Sequence, residues 1–428
     1  MRTLLVYADF DWLPAPTLIG ELGYESLRGT DSYSFRFSEE WLQAHGGLYL
    51  SADLNNYPGI QYTASDRDIF ACFSDALPDR WGRTLLLRRE QILAREERRP
   101  LRRLSSFDYL LGIDDYARMG ALRFREEADG DFINSASSLR IPPLTDIRTL
   151  EAASKEIERS ELANELPDKR WIAQLIQPGS SLGGARPKAS VVDTDGTLCI
   201  AKFPSRRDDY DAGLWEHLCH QLATRAGIKT ARTRVLRSGD EYHTFISERF
   251  DRTGGGKRIH FASAMTLLGL QDGDNASSGY GYLDIVDFIL RHSGDTEQNL
   301  RDLYRRVAFN ICIGNSDDHF RNHGFLLTRK GWTLSPAYDM NPTLSSYQSL
   351  LINNTTSEAN LGILLEASEE YMLPREVARS IIDEVCEALD GWQSLATRLG
   401  ISQREISFFE DRWDRGVELF PKEAGRRI

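Results

Sequence analysis

Apolar positions along the chain change their period several times. Up to about residue 65 they come in short alternating runs, Leu4–Tyr7, Ser32–Phe37 and Gly47–Leu50, which predicts the strands of a small antiparallel sheet. From Asp66 the spacing turns helical, passing through Phe70, Phe73 and Leu77 to Leu85–Leu87. A polar, turn-rich stretch at 126–147, with Gly130 and Pro142-Pro143, then predicts a domain boundary. A helix near Leu150–Leu166 follows, and after it two strands, Ala189–Val192 and Thr197–Phe203, joined by a turn at Asp193–Gly196. Leu214, Leu218, Leu222 and Ala223 make one stripe of a helix over Asp211–Ile228, with Gly227 as its stop. Thr244–Ser247 reads as a buried strand that ends in the charged run Glu248-Arg249-Phe250-Asp251-Arg252. From His260 onward the periodicity is almost entirely helical, with one stripe from Leu300 to Ile311 and another from Val377 to Leu399, closed by Gly400.

Composition narrows the class. With 428 residues, 41% of them apolar, the chain is long enough for two or three domains with real cores. Its five cysteines are scattered and form no C-x-x-C pair, which predicts reduced core residues and neither a disulfide framework nor a zinc ribbon. The apolar run at the N-terminus meets Asp9 and Asp11, unlike a signal peptide or a membrane span, so a cytoplasmic protein without membrane contact is expected. A net charge of −12 argues against a surface that grips phosphate backbone throughout, so any DNA contact should be local or made through a partner. Between Arg88 and Arg103 seven arginines face three glutamates, a pattern that fits a solvated face of Glu/Arg pairs or a patch for a nucleic acid or partner.

The densest chemistry lies in Asn315-Ser316-Asp317-Asp318-His319-Phe320-Arg321-Asn322, five oxygen-bearing polar side chains and a histidine in eight residues. The apolar run 307–314 precedes it, and the strand-like segments Gly324–Leu327 and Trp332–Leu334 follow, leading to Tyr338-Asp339. A polar loop held between buried flanks is where a scaffold places function. Three readings compete. His319 and His323 have the i, i+4 spacing of a zinc hydrolase helix, but Phe320 stands where H-E-x-x-H needs glutamate, and Gly324 follows at once. An Asp/Asn turn network would be purely structural. Phosphoryl transfer would use Asp317 as the base for a substrate hydroxyl, Asn322 five residues on as a Mg²⁺ ligand, and Asp339, 17 residues further, as the second Mg²⁺ ligand.

The rest of the chain favours the third reading. Residues 177–188, Gln-Pro-Gly-Ser-Ser-Leu-Gly-Gly-Ala-Arg-Pro-Lys, are glycine-rich and lead into a strand, so they are neither a Walker loop nor a Rossmann fingerprint. Gly254-Gly255-Gly256-Lys257 likewise lacks the Walker spacing. A flexible loop over a hairpin, with Lys202 on the second strand, matches the way kinases cover and grip ATP phosphates. Glu216, near the start of the next helix, is the candidate to orient that lysine, and the strand ending at Glu248 suits a hinge where adenine meets backbone.

Jointly these segments resemble the HipA family of bacterial serine/threonine kinases, the toxins of HipBA-type toxin–antitoxin modules. The resemblance runs through Leu77-Pro78-Asp79-Arg80-Trp81-Gly82-Arg83, Arg118–Phe124, Ser181–Lys188, Ala201-Lys202-Phe203-Pro204, Glu248–Arg252, Asn315–Asn322 and Tyr338-Asp339. It implies Asp317 as catalytic base and Asn322 and Asp339 on Mg²⁺. It further implies Gly183, Gly184, Ala185, Arg186, Pro187 and Lys188 as the phosphate loop, Lys202 on the phosphates, Glu248, Arg249 and Phe250 at the adenine, and His319 and Tyr338 lining the ATP site. Ser181, with Ser180 as the second choice, is the implied autophosphorylation site, where added charge would oppose ATP phosphates. The implied partners are a protein substrate, possible aminoacyl-tRNA synthetases among them, and a HipB-like helix-turn-helix antitoxin that carries most DNA recognition. Arg321 stands where the family usually has lysine. The expected fold is α+β and two-lobed like a protein kinase, with a β-rich N-lobe over 126–252, an all-α C-lobe over 253–428, and an extra N-terminal α/β subdomain over 1–125. The alternative function is a non-catalytic, kinase-like co-repressor that binds a helix-turn-helix protein.

Overall fold

A computed structural model of the chain describes residues 1–27, 29–135, 141–176, 184, 186–237 and 242–418, with side chains to Trp413 in the last helix. The chain divides into two compact units, 1–208 with 236–262, and 209–235 with 263–428.

The first unit opens with antiparallel strands β1 (Arg2–Ala8), β2 (Thr17–Leu27) and β3 (Thr30–Phe37). Leu4, Val6 and Ala8 of β1, and Tyr33, Phe35 and Phe37 of β3, point alternately into the core, as the period of two predicts. β2 is the longest strand, and the alternating pattern did not mark it because Gly20 and Gly23 interrupt its apolar positions. Those glycines are needed for close approach: a Cβ on Gly20 would lie 2.2 Å from the Arg36 carbonyl oxygen, and one on Gly23 2.5 Å from Ser34 Oγ. Next come α1 (Glu39–His45), capped by Ser38, and the two-residue strand β4 (Gln61–Tyr62). Residues 47–50, expected as a strand, are loop, and the missing strand is supplied by β4.

α2 (Arg80–Glu96) starts where Asp79 Oδ1 accepts from Gly82 N at 2.7 Å. After α3 (Ser106–Leu111), β5 (Leu122–Arg125) returns to pair with β1, giving the sheet order β4-β3-β2-β1-β5. α4 (Ile147–Leu162) and α5 (Lys169–Leu175) lead to the hairpin β6 (Lys188–Val192) and β7 (Leu198–Lys202). The chain then crosses to the second unit for α6 (Ala212–Arg225) and most of β8 (Thr233–Leu236), and returns for β9 (Thr244–Glu248), antiparallel to β7. Trp81 and Leu85 of α2 share one core with Leu150 and Ile157 of α4, Ile172 and Leu175 of α5, and Val191, Ala201 and Ile246 of the small sheet. Residues on both sides of the stretch 126–147, expected as a domain boundary, thus share one core and belong to one unit.

After β10 (Phe261–Ser263), the second unit is largely helical: α7 (Ala264–Leu268), α8 (Tyr282–His292) and α9 (Thr296–Ile313), and later α10 (Leu361–Glu366), α11 (Arg375–Leu389), α12 (Trp392–Leu399) and α13 (Gln403–Glu418). The expectation of an all-α C-terminal part needs one correction. β11 (Gly324–Thr328) and β12 (Gly331–Leu334) form an antiparallel hairpin inside it. Trp215 on α6 packs against Phe409 and Trp413 of α13, with ring centroids 4.6 and 5.7 Å away, and Trp392 of α12 meets Trp413 at 4.4 Å.

Within Arg88–Arg103, Glu/Arg pairs form, centred on a buried glutamate rather than on a solvated face. Glu90, 3% exposed, receives Arg99 at 2.5 Å and Arg102 at 3.3 Å, and Arg99 also meets Glu97 at 2.5 Å. The Arg99 bond outweighs burial and brings the Glu90 carboxyl down to about 2. No helix among the described residues is long and apolar enough to cross a membrane.

Candidate active site

The polar loop begins where α9 must stop. Gly314 takes φ +69°, and a Cβ there would lie 2.9 Å from Thr343 O and 3.1 Å from the Arg412 side chain, so the left-handed turn and the close approach both call for glycine. Thr343 returns the contact: its N and Oγ1 both donate to Gly314 O at 2.9 Å.

Beneath the loop lies a buried brace. Asp318 is 3% exposed, and its Oδ2 accepts from Asn310 Nδ2 at 2.7 Å, Tyr282 Oη at 2.8 Å and His323 Nε2 at 2.9 Å. Burial alone would raise this carboxyl, but His323, Tyr282 and Asn310 together hold it below the usual carboxylate range. Asn310, on α9, also accepts from Asn315 Nδ2 at 3.2 Å. Arg306, one turn earlier, is buried and donates to Ser335 O, and burial lowers its pKa. A cavity of about 10 Å³, near the size of one water, is left among Arg306, Asn310, Asp318, Asn322 and His323.

Asp317 faces the other way and stands exposed at the crest. Crowding still desolvates its carboxyl enough to raise its pKa; His319 opposes the rise, while the negative charges of Asp339 and Asp318 add to it. Asn322 Nδ2 donates to the Asp317 carbonyl oxygen at 3.0 Å. Only the NH₂ of that amide can make this bond, so the orientation of the side chain is settled and Oδ1 is the atom left over. Oδ1 is buried and accepts no hydrogen bond. Asp339 has φ +57°, a strained setting for a side chain that aspartate tolerates better than most residues. Beside it, Tyr338 Oη donates to Arg321 O at 2.5 Å, fastening this stretch to the loop.

The arrangement can therefore offer two hard oxygen ligands, Asn322 Oδ1 and the Asp339 carboxylate, next to a carboxylate of raised pKa. A magnesium ion, which takes few protein oxygens and keeps waters, fits that donor set. Zinc does not. His323 is turned inward onto Asp318, His319 precedes the short 3₁₀ turn Phe320–Asn322, and among the described residues no group of three or more His, Cys, Asp or Glu is placed to hold a metal.

In the first unit, Ile200 and Lys202 share one face of β7 while Ala201 and Phe203 are buried on the other, as expected from the alternation. Lys202 is half-buried, its Nζ 5.7 Å from the centroid of the Phe245 ring on β9. Lys188 pairs across from Lys202 in the ladder, but its ammonium is 1% exposed and meets Asp79 at 3.1 Å. Arg186 makes two bonds to Asp208, of 2.9 and 2.6 Å, and Gly184 has φ +76°. Ser180, Ser181, Gly183 and Ala185 lie outside the described residues. Of the expected hinge, Glu248 ends β9 and Phe250 packs on Phe261 at 5.8 Å. The Arg249 side chain is fully buried, bonded to Asp251 at 2.8 and 2.5 Å and to Ala117 O at 2.6 Å. In the second unit, Glu216 is buried on α6.

Sequence reasoning left Asp318 and His323 without a role, passed over Tyr282 and Arg306, and named Asp79 only within the segment Leu77–Arg83. A charged residue inside a loop carries no mark of which way it faces. Only the buried tyrosine on α8 and the asparagine on α9 reveal that Asp318 points inward while Asp317 points out.

Two family descriptions match the chain, a HipA N-terminal domain over residues 14–110 and a HipA-like C-terminal domain over residues 180–392. A Sinorhizobium fredii protein named "Putative kinase Y4mE" is 24% identical over 409 residues, 88% of this chain and 90% of that protein. The serine/threonine-protein kinase toxin HipA of Shewanella oneidensis is 22% identical over 353 residues, 76% of this chain and 72% of that protein. Among solved structures, HipA of Shewanella oneidensis MR-1, in a complex with HipB and operator DNA, superposes with a TM-score of 0.64 at 16% identity, covering 97% of this chain and 96% of that one.

Proposed function

The chain belongs to the HipA family, and from that premise we propose that it is an ATP-dependent serine/threonine protein kinase and the toxin of a toxin–antitoxin module. The observation that carries the kinase reading is the pairing of Asp317 and Asn322. One half of the Asn322 amide fixes the backbone of the base, and the other half, buried and without a hydrogen-bond partner in the chain, is left for a cation.

In this reading Asp317 accepts the proton of a protein Ser or Thr hydroxyl, and its raised pKa suits a group that must take up a proton. Asn322 Oδ1 and Asp339 would hold Mg²⁺, which when bound offsets the negative charge of the ATP phosphates. Lys202 contributes a cation to the phosphates, with Glu216 as its orienting acid. The backbone flanking Arg249, at Glu248 and Phe250, is the proposed place for adenine, while Arg249 N is given to Leu198 O at 2.9 Å and the Arg249 side chain anchors that backbone from within. Arg186 and Lys188 support the glycine-rich loop through Asp208 and Asp79. His319 and Tyr338 line the nucleotide site. Ser181, or Ser180 beside it, is the proposed acceptor of autophosphorylation.

The proposed partner is a HipB-like helix-turn-helix antitoxin, and DNA is reached mainly through it. The structural relative was solved with HipB and operator DNA, and a net charge of −12 fits a chain that leaves the phosphate backbone to its partner. The test is ligand-linked stability of the purified protein. ATP with Mg²⁺ should raise Tm by a few degrees, because a ligand that binds only the folded state stabilises it by mass action. Asp339→Asn should lose the part of the rise that depends on Mg²⁺. No rise in the wild-type protein would contradict nucleotide binding.

A further inference from the structure

Three large apolar side chains stand in solvent around one point of the second unit. Leu344 is 53% exposed, Tyr347 61% and Phe408 56%. The point is Ser345, whose carbonyl oxygen accepts from Arg412 Nε at 3.1 Å, and Phe408 lies one turn before Arg412 on the same face of α13. One exposed apolar residue is ordinary, whereas several on one surface mark a binding site. The charge of this region is unusual too. Although 27% of the chain is charged, the eighteen residues 340–357 contain no Asp, Glu, Lys, Arg or His.

Within this neutral stretch, residues 343–349 are fastened to the catalytic loop at both ends. Thr343 N and Oγ1 donate to Gly314 O, and Ser349 N and Oγ donate to Ser316 O at 2.9 and 2.8 Å, one residue before Asp317. Between these feet the backbone is held as well: Tyr347 N donates to Ser345 Oγ at 3.1 Å, Ala359 N to Ser346 O at 2.9 Å and Gln348 N to Ser357 O at 2.7 Å. Leu344 and Tyr347 are therefore presented from a fixed backbone, which leaves little ordering to be done on binding. Traced from Asp317 through Ser316 and Ser349, Tyr347 lies no more than about 17 Å of Cα path away, the reach of about five residues of extended chain.

We propose that Leu344, Tyr347 and Phe408 form the surface that holds the polypeptide substrate, and that they select an apolar side chain within about five residues of the Ser or Thr whose hydroxyl meets Asp317; this rests on the kinase reading for its biological meaning. An apolar side chain placed there leaves water and gives up no hydrogen bond. The tyrosine ring receives it at small entropic cost, with two χ angles to fix. A basic helix-turn-helix protein, or the phosphates of a nucleic acid, would find no opposite charge along residues 340–357.

The test uses the full chain and an array of short peptides, each with a central serine and one varied position, captured without ATP. Wild-type protein should retain peptides bearing Leu or Phe at one offset about tenfold better than those bearing Ala, Lys or Asp there, as expected for burying one large apolar side chain. Leu344→Ser combined with Tyr347→Ser should lose that preference with little change in Tm, since both side chains are exposed. Tyr347→Phe keeps the ring and should keep the preference. Leu27→Ser, at an equally exposed leucine of the first unit, should keep it too. No capture by wild type, capture without an apolar preference, or a preference that survives in the double variant would each overturn the proposal. A wild-type dimer that the double variant turns into monomers would give the surface to a second copy and overturn it as well. Because capture is read without ATP, a failure of phosphate transfer would count against the kinase reading alone.

Discussion

At the scale of single residues, the loop separates two adjacent aspartates into different jobs. Asp317, exposed beside Asn322, is the group whose loss should remove catalysis while leaving the fold. Asp317→Asn should lower phosphate transfer by about 10²–10⁴-fold, the usual worth of a positioned base, with little change in Tm. Asp318 is the opposite case. Asp318→Ala strips the acceptor from Tyr282, Asn310 and His323 in the interior, and the protein should lose about 2–4 kcal/mol of stability in urea, together with activity. Gly314→Ala should cost about 1–2 kcal/mol, because φ +69° is unfavourable to alanine and its Cβ would crowd Thr343 O at 2.9 Å. The spacing of Asp317, Asn322 and Asp339 stands in the sequence itself, and the roles of base and metal ligands proposed for them start from that spacing. The inward turn of Asp318 was not legible there, because it depends on Tyr282, 36 residues away.

At the scale of elements, hydrophobic period identified those whose one face is buried. β1, β3, β7, α6 and α9 fall where alternation or helical stripes placed them, whereas the single stripe from Val377 to Leu399 is divided between α11 and α12 by Gly391, at φ +72°. β2 was hidden by two glycines selected for closeness to β3, and α1 by its shortness, since seven residues with Trp41 as the buried anchor give too little repeat to register. Lys188 shows the limit of reading a motif as a contact list. Within a glycine-rich loop motif it suggests a phosphate ligand, whereas the fold commits its ammonium to Asp79, the N-cap of α2. This ion pair joins the start of β6 to the helix behind it. Lys188→Met should therefore destabilise by about 3–5 kcal/mol by stranding a buried carboxylate, and adding Asp79→Asn should restore a good part of the loss. A double-mutant cycle in guanidinium would check this, and full additivity of the two changes would refute the coupling.

At the scale of the whole molecule, the first unit is built around buried charge and a buried neutral histidine, so acid should act on it early. His260 is stacked on Phe10 at 5.0 Å, and burial pushes its pKa down to about 3. The unfolded chain then takes up a proton between about pH 6.5 and 3 that the folded form refuses, so stability is full above pH 6.5 and falls as pH drops, by about 2 kcal/mol at pH 5. Asp251 is fully buried; burial would raise it, but Arg249 and Arg252 hold it well below the usual carboxylate range. Its contribution is lost only below the ordinary carboxylate pKa, deeper into acid. Unfolding followed from pH 7 to 5 should show the first loss, and His260→Phe should flatten it. The central claim is that this HipA-family chain transfers phosphate with Asp317 as its base. The most direct measurement is the intact mass of purified protein after incubation with ATP and Mg²⁺. Wild type should gain phosphate, mapped to Ser181 or Ser180, and Asp317→Asn should gain none. Equal gain by both proteins would contradict the assignment of the base, and no gain by wild type would contradict the kinase.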